Sequence, residues 1–305
     1  MSDKIIQITS LTKKYKELTA VNNLTLSVNR GDVFGFLGPN GAGKSTTIRM
    51  LLSLIFPTSG EISIFGKPLN KHREEILRNI GAIVEKPDLY GYLSAYKNLE
   101  ILARTSGIDV TKSKIMETLE LVGLEKRYKS KVKTFSHGMK QRMGLAQALI
   151  HDPELIVLDE PTTGLDPQGM KEIRDLIHYL STEKGKTIVL SSHILYEVEL
   201  VCNSMVIINK GKTVVEGSVQ DLLNAKDLKV KVETDNGELA SQSIRESGFA
   251  GSIEDVIGNT LLLNLPQSGI APINKLLVEK GIAVSSIVPT RSLEEYFLQL
   301  TEGGE

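Results

Sequence analysis

The chain lacks the features that mark secreted and membrane-spanning proteins. Its one cysteine, Cys202, cannot form an intramolecular disulfide, and its apolar surroundings predict a small buried side chain. No run of apolar residues approaches the roughly 18 that a bilayer span needs. The first ten residues, MSDKIIQITS, do not have the basic and then apolar layout of a signal peptide. We therefore expect a cytoplasmic protein that meets a membrane only through a partner.

An excess of charge is also absent. Lysine and arginine number 36 against 37 aspartate and glutamate residues, which gives a formal net charge of −1. A general nucleic-acid binder usually has a basic excess or a basic face, so we expect no nucleic acid among the partners. The 305 residues, 41% of them hydrophobic, are enough for one large domain with a real core and a second, smaller domain.

Strand and helix signals alternate along residues 4–225. Short strands are predicted within residues 4–37, and helices are predicted to begin after the capping residues Ser94, Thr111 and Ser136. The apolar runs LIVLDE, TIVLS and MVIIN follow, separated by helical segments. Nearly continuous apolar strands that alternate with helices are typical of a parallel sheet buried on both faces.

The pattern changes after about Ala225. Residues 228–300 indicate the order strand, helix, strand, strand, helix, strand, with a closing helix from Ser292. This order is that of a ferredoxin-like α+β unit. We therefore predict two domains, residues 1–225 and 226–305, and expect the second to be an accessory domain because it has no dense set of catalytic residue types.

A glycine-rich segment between a strand and a helix carries the strongest chemical signal. It fits the pattern G-x-x-x-x-G-K-[ST], in which glycines let backbone N–H groups turn around phosphate oxygens at a helix N-terminus. The lysine reaches the β- and γ-phosphates, and the final hydroxyl ligates Mg²⁺. The residues of this phosphate loop are Gly38, Pro39, Asn40, Gly41, Ala42, Gly43, Lys44 and Ser45, and Thr46 follows as a further contact.

The acids of LIVLDE predict the other half of a hydrolytic site. Two carboxylates at the end of a buried strand are unfavourable unless a cation or polar groups meet them. Mg²⁺ is expected to meet Asp159, which leaves Glu160 free to polarise a water for attack on the γ-phosphorus. The sequence thus predicts an ATPase with ATP and Mg²⁺ at its site.

These motifs resemble those of the nucleotide-binding subunits of ABC transporters over residues 4–225. The family's LSGGQ signature resembles the segment FSHGMKQR, in which Ser136 and Gly138 hold matching positions while His137 and Met139 depart from the consensus. The resemblance implies that the signature contacts the γ-phosphate bound by a second subunit. Despite the two departures from the consensus, this segment would present a hydroxyl, backbone N–H groups and a helix dipole to that phosphate.

Four further residues gain roles from the same resemblance. Asp166 would face the dimer seam, His193 would touch the γ-phosphate, and Tyr15 would stack on adenine. Glu85 stands where the family usually has a glutamine, and is expected to contact metal or water. A glutamate here is similar to the bacitracin- and lantibiotic-type exporters. The alternative for Tyr15 is local packing, that for His193 is a satisfied polar residue, and that for Glu85 is an acid at the surface.

The resemblance implies a P-loop NTPase with a RecA-like parallel sheet core, an antiparallel β patch, a helical subdomain at about residues 88–150 and a small α+β C-terminal domain. Two ATPase subunits, identical or not, would power a separate permease at the inner face of the cell membrane. We expect export of a peptide antibiotic, drug or other amphipathic compound. The alternatives are a lipid or polysaccharide exporter, an importer, and an ABC-type ATPase that acts on ribosomes or DNA. The cargo contacts the permease, so this chain does not identify it.

Overall fold

The computed structural model describes residues 3–107, 109–224 and 228–290. The chain forms two compact units, and the boundary between them falls between Gly217 and Ser218. The closing helix predicted from Ser292 lies outside the described residues. Within the described residues, no helix is both long enough and apolar enough to cross a membrane.

The first unit contains two sheets and the helices that surround them. Its strands are β1 (Lys4–Tyr15), β2 (Leu18–Asn29), β3 (Val33–Leu37), β4 (Ser59–Ile64), β5 (Lys67–Pro68), β6 (Ile80–Ile83), β7 (Leu155–Leu158), β8 (Thr187–Ser192), β9 (Ser204–Asn209) and β10 (Lys212–Ser218). Its helices are α1 (Lys44–Leu51), α2 (Arg73–Leu77), α3 (Ala95–Thr105), α4 (Lys112–Leu121), α5 (His137–Leu149), α6 (Pro167–Thr182) and α7 (Leu195–Val201).

The central sheet has six strands in the order β10-β9-β3-β8-β7-β6. Strands β9, β3, β8, β7 and β6 pair in parallel, and every residue of β3, β7 and β8 is buried. This explains why these strands are apolar without alternation. Because the strands run in one direction, the loops that follow their carboxyl ends meet at one edge of the sheet.

The second sheet of this unit is the predicted antiparallel patch, in the order β2-β1-β4-β5. Strands β1 and β2 have twelve residues each, longer than the short strands that the sequence predicted. They join at a tight turn in which Lys16 has a φ of 47°. Side chains from both sheets and from α1 pack into one apolar cluster, which fixes the antiparallel sheet against the central one.

The predicted helix caps are present. The Ser94 hydroxyl accepts a hydrogen bond from the Lys97 N–H, Thr111 accepts from Lys114, and Ser136 accepts from Met139, so α3, α4 and α5 begin where the sequence predicted. Helix α1 was predicted to continue to about Ile55 but ends at Leu51. The reason is local, because Ser53 adopts the left-handed region with a φ of 54°, which a helix cannot continue through.

Cys202 has the environment that the sequence predicted. The residue is buried beside Gly35 of β3, and a Cβ added at Gly35 would lie 3.0 Å from the Cys202 Sγ. Burial raises the pKa of this thiol well above its usual range. Cys202 is therefore an unreactive packing residue.

The second unit contains α8 (Val219–Asn224), β11 (Leu228–Thr234), α9 (Gly237–Arg245), β12 (Ile253–Ile257), β13 (Thr260–Leu265), α10 (Ile270–Glu279) and β14 (Val284–Thr290). From β11 onward this is the predicted βαββαβ order. The strands form an antiparallel sheet in the order β12-β13-β11-β14. Apolar residues of α9 and α10 pack against four buried side chains of the sheet, which are Val230 and Val232 of β11 and Leu261 and Leu263 of β13.

The first unit is expected to fold without the second. The apolar cluster of the first unit uses residues 5–208, whereas that of the second uses residues 230–282, and the two clusters share no residue. A chain that ends at Asn224 should therefore unfold in one cooperative thermal transition and bind ATP. Calorimetry and nucleotide titration test this prediction. A shortened chain that folds cooperatively yet binds no ATP would contradict it.

Candidate active site

The loops at the carboxyl edge of the central sheet enclose a cleft of about 720 Å³. The phosphate loop follows β3, the two acids follow β7, and His193 follows β8, so the sheet order itself brings them together. The cleft is lined by Tyr15, Leu18, Thr19, Ala20, Asn40, Gly41, Ala42, Gly43, Lys44, Ser45, Thr46, Glu160, Thr163, His193 and Lys210.

Glycine is required at the turn into α1. Gly43 has a φ of 109°, and a Cβ at this position would lie 2.6 Å from the backbone oxygen of Ala20. A side chain is therefore excluded both by the left-handed backbone and by the close approach of the neighbouring strand. The loop can thus direct its N–H groups into the cleft together with the first turn of α1, which favours an anion at this place.

Lys44 is a buried cation at the bottom of this loop. Its Nζ donates hydrogen bonds to the backbone oxygens of Gly38, at 2.7 Å, and Pro39, at 3.2 Å. The same Nζ lies 3.5 Å from Glu160 Oε1. A lysine is rarely buried without compensation, and here two carbonyl groups and one carboxylate provide it.

Asp159 is joined to the phosphate loop by Ser45. The aspartate is 4% exposed, and its Oδ1 accepts a hydrogen bond from the Ser45 hydroxyl at 3.1 Å. The two oxygens that the sequence predicted as metal ligands are therefore adjacent. Their arrangement provides one carboxylate and one hydroxyl next to the phosphate-binding N–H groups.

Glu160 lies between the lysine and the histidine. Its Oε1 faces Lys44, and its Oε2 accepts a hydrogen bond from the Thr163 hydroxyl at 2.9 Å. The Nδ1 of His193 lies 2.7 Å from the same Oε2, so the histidine must carry its proton on Nδ1 to donate this hydrogen bond. The backbone of Glu160 is left-handed, with a φ of 52°, where residues with a Cβ are uncommon.

Tyr15 lies at the mouth of the cleft, where the sequence resemblance placed an adenine-stacking residue. The residue is 43% exposed, and the Nζ of Lys13 lies 4.9 Å from the ring centroid. An exposed aromatic face next to the phosphate loop can receive a planar base by stacking.

Ser136, Gly138 and Asp166 are among the predicted site residues that do not line the cleft of their own chain. Gly138 lies in the first turn of α5, and Ser136 is the residue before this helix, whose hydroxyl accepts the capping hydrogen bond from Met139 N–H at 3.3 Å. Asp166 caps α6 by accepting a hydrogen bond from Gly169 N–H at 2.9 Å. Ser136 and Asp166 are exposed, and none of the three lines the cleft.

Glu85 also points elsewhere. It follows β6 with a φ of 64°, and its exposed carboxylate forms an ion pair with the guanidinium of Arg49 on α1. The pair connects the helix of the phosphate loop to the segment that follows β6. Contact between Glu85 and a metal stays a prediction.

Several side chains at or beside the site were not predicted from the sequence. Thr163 binds Glu160, and Lys210 lines the cleft after β9. Glu197 on α7 is buried and accepts hydrogen bonds from Thr162 Oγ1 at 2.5 Å and from Ser192 Oγ at 3.3 Å. The position of Lys210 directly after a parallel strand was the available signal, since such positions share one sheet edge.

A phosphate loop that opens a helix, a buried lysine, and two acids at the end of a neighbouring strand define a P-loop nucleotide-binding site. The comparisons with known proteins specify the class. The family model described as ABC transporter matches residues 21–163. BcrA of Bacillus licheniformis, a bacitracin transport ATP-binding protein, is 47% identical over 305 residues, which cover 98% of each chain.

Two other relatives agree. SrtF of Streptococcus pyogenes, a lantibiotic transport ATP-binding protein, is 42% identical over 224 residues, which cover 73% of this chain and 95% of SrtF. A solved dimeric ATP-binding cassette in a post-hydrolysis state with ADP and Pi is 27% identical, with a TM-score of 0.64, and covers 70% of this chain and 98% of that one. The chain belongs to the ATP-binding proteins of ABC transporters. It is an ATPase, and the predicted P-loop NTPase fold is confirmed.

Proposed function

We propose that Glu160 activates the water that attacks the γ-phosphate of ATP. The observation that carries this assignment is the place of its carboxylate, between the Lys44 ammonium and the His193 ring. Lys44 would hold the β- and γ-phosphates, and the phosphate-loop N–H groups would bind their oxygens. His193, already oriented by Glu160, would place its other ring nitrogen toward the γ-phosphate. Tyr15 would stack on the adenine.

The residues present fit a magnesium ion. Within the part of the chain that the structure describes, no three His, Cys, Asp or Glu side chains form a ligand cluster. Mg²⁺ typically binds through one or two carboxylates together with substrate phosphates, and the adjacent Asp159 Oδ1 and Ser45 Oγ suit that mode. The ion would supply charge neutralisation of the phosphates, and Asp159 and Ser45 would hold it.

Glu160→Gln should keep ATP binding and lose hydrolysis. The amide preserves the size of the side chain but does not polarise water as a carboxylate does, so we expect kcat to fall by about 10²- to 10⁴-fold. Turnover and equilibrium ATP binding of the purified variant test this. Glu61→Gln, at an exposed position on β4, is the matched control and should behave as the wild type. Near-normal turnover of Glu160→Gln would disprove the assignment.

We further propose that two subunits complete each other's sites. The serine and glycine of the signature lie at the N-terminus of α5, outside their own cleft, and Asp166 is exposed at the start of α6. A helix N-terminus with a free surface suits a phosphate supplied by a second copy. The dimeric cassette among the structural relatives supports this arrangement.

Mixing two inactive variants should restore hydrolysis. A dimer of one Lys44→Ala chain and one Ser136→Arg chain contains one site with both an intact lysine and an intact serine. Random mixing makes about half of the dimers heterodimers, and each heterodimer has one intact site of its two. The mixture should therefore recover up to about a quarter of wild-type activity. The control mixes either variant with the double variant, which restores no site. Absence of recovery while heterodimers are present in native mass spectra would contradict a shared site.

The dimer would drive a separate permease at the inner face of the cell membrane and export a peptide antibiotic. The names of BcrA and SrtF support this cargo class.

The segment after β6 would supply a surface for the permease, because Tyr90 and Tyr92 are exposed and contact each other edge to face, with ring centroids 6.1 Å apart. Tyr96, in the first turn of α3, is half-buried. Aromatic residues are enriched in interface cores.

Glu85→Ala should reduce transport more than hydrolysis. Loss of the carboxylate breaks the ion pair with Arg49, which joins the phosphate-loop helix to this surface, whereas Lys44, Ser45 and Asp159 are untouched. Cells that carry the variant with its permease should survive less bacitracin or lantibiotic, while the purified variant binds ATP normally. Glu85→Gln should be milder because it restores the family's usual residue type.

Glu75→Ala is the matched control, since Glu75 is also an exposed acid in an ion pair, with Lys67, and should change neither activity. An equal loss of survival and hydrolysis in Glu85→Ala would assign the residue to hydrolysis alone. No loss in either would remove it from the mechanism. The proposed cargo has a separate test. It would be contradicted if cells that express the wild-type ATPase and its permease were as sensitive to bacitracin and to lantibiotics as cells that lack both proteins.

A further inference from the structure

Ser191 is the second-last residue of β8 and lies just past the end of β7, at the active site. The last residue pair between the two strands is Leu158 with Leu190, so Ser191 comes one position later, beside Asp159. The serine is fully buried, with 0% of its surface exposed. A hydroxyl in such a place is costly unless it has hydrogen-bond partners.

The Ser191 hydroxyl has two partners, and both belong to the hydrolytic segment. It donates a hydrogen bond to Asp159 Oδ1 at 2.6 Å and accepts one from the backbone N–H of Glu160 at 2.9 Å. The directions follow from the chemistry, because an amide N–H can only donate and a carboxylate can only accept. One oxygen therefore connects the two consecutive acids to the neighbouring strand.

The second hydrogen bond stabilises an unfavourable backbone conformation. Glu160 is left-handed, with a φ of 52°, although it has a Cβ. This turn interrupts the extended backbone that precedes it, and the carboxylate of Glu160 lies beside Lys44 and His193. Without the serine, the N–H of Glu160 would lose its partner, and the left-handed turn would lose the hydrogen bond that favours it.

We propose that Ser191 is a positioning residue for ATP hydrolysis. Its hydroxyl holds the Asp159 carboxylate toward Ser45 and fixes the turn that directs Glu160 to the water-activating position. The inference rests on the roles proposed above for Asp159 and Glu160. Ser191 touches neither nucleotide nor water in this role, since it acts through the two acids.

A matched control is available on the same strand. Thr187 begins β8 at the opposite end, is also 0% exposed, and its hydroxyl accepts a hydrogen bond from the backbone N–H of Gly31 at 2.9 Å. Thr187→Val and Ser191→Ala each remove one buried hydroxyl that binds a backbone N–H. If Ser191 had a purely structural role, the two substitutions would change kcat and Mn²⁺ affinity alike. If Ser191 is a positioning residue, only Ser191→Ala should lower them.

The test compares Ser191→Ala, Ser191→Thr, Thr187→Val and Glu160→Gln. For Ser191→Ala we expect kcat to fall by about 10- to 100-fold, the range found when a residue that orients a metal ligand is removed. Its affinity for metal-free ATP should be unchanged, because the phosphate loop is intact. Its Mn²⁺ affinity, measured by EPR titration with a non-hydrolysable ATP analogue, should fall. Thr187→Val should lower only the unfolding temperature, and Ser191→Thr should regain most of the activity.

Hydrogen exchange gives a measurement that does not depend on catalysis. In the nucleotide-free protein, NMR should show faster exchange of the Glu160 amide in Ser191→Ala but not in Thr187→Val. The positioning role is overturned if Ser191→Ala matches Thr187→Val in kcat and Mn²⁺ affinity, or if Ser191→Thr stays inactive with a wild-type unfolding temperature. Normal turnover of Glu160→Gln would instead disprove the assignment of Glu160, so the two failures are distinguishable.

Discussion

Two consecutive carboxylates stand at the end of a strand that is buried on both faces, and the repulsion between them is the constraint that the site must satisfy. Each acid has its own set of partners. Asp159 accepts hydrogen bonds from the hydroxyls of Ser45 and Ser191, whereas the carboxylate of Glu160 lies against Lys44 and His193. Lys44 and Ser45 follow β3, Ser191 lies near the end of β8, and His193 follows β8, and these two strands are neighbours in the sheet. The acids are therefore compatible with burial only when the parallel sheet is assembled.

Contiguous motifs were predictable from the sequence because their geometry is local. A glycine loop that opens a helix, an apolar strand that ends in acids, and a capping serine each act within a few residues. The sequence therefore predicted where Lys44 and Glu160 lie and that Ser136 caps a helix. The alternation of strands and helices likewise fixed the class of fold and the common edge of its strands. The positions of the site segments around that edge follow from the sheet order.

Contacts between distant segments were not predictable in the same way. The hydrogen bond from Thr162 to Glu197 joins residues 35 apart, and that from Ser191 to Asp159 joins residues 32 apart. The first depends on how α7 packs against the turn after β7, and the second depends on the register of β7 and β8. Composition and spacing specify neither. The direction of an exposed side chain is similarly unspecified, which is why the ion pair of Glu85 with Arg49 had no signal in the sequence.

The buried side-chain amide of Asn98 holds the loop that carries the exposed Tyr90 and Tyr92 in one conformation. The side chain of Asn98 accepts a hydrogen bond from Tyr90 N–H at 2.8 Å and donates to the backbone oxygens of Tyr90, at 3.1 Å, and Ser94, at 3.0 Å. The loop is thus ordered before anything touches it. A flexible loop would lose conformational entropy when its aromatic rings became fixed against another protein, whereas this loop has already lost it during folding. The conformation of the loop beside Tyr92 is therefore set within this chain.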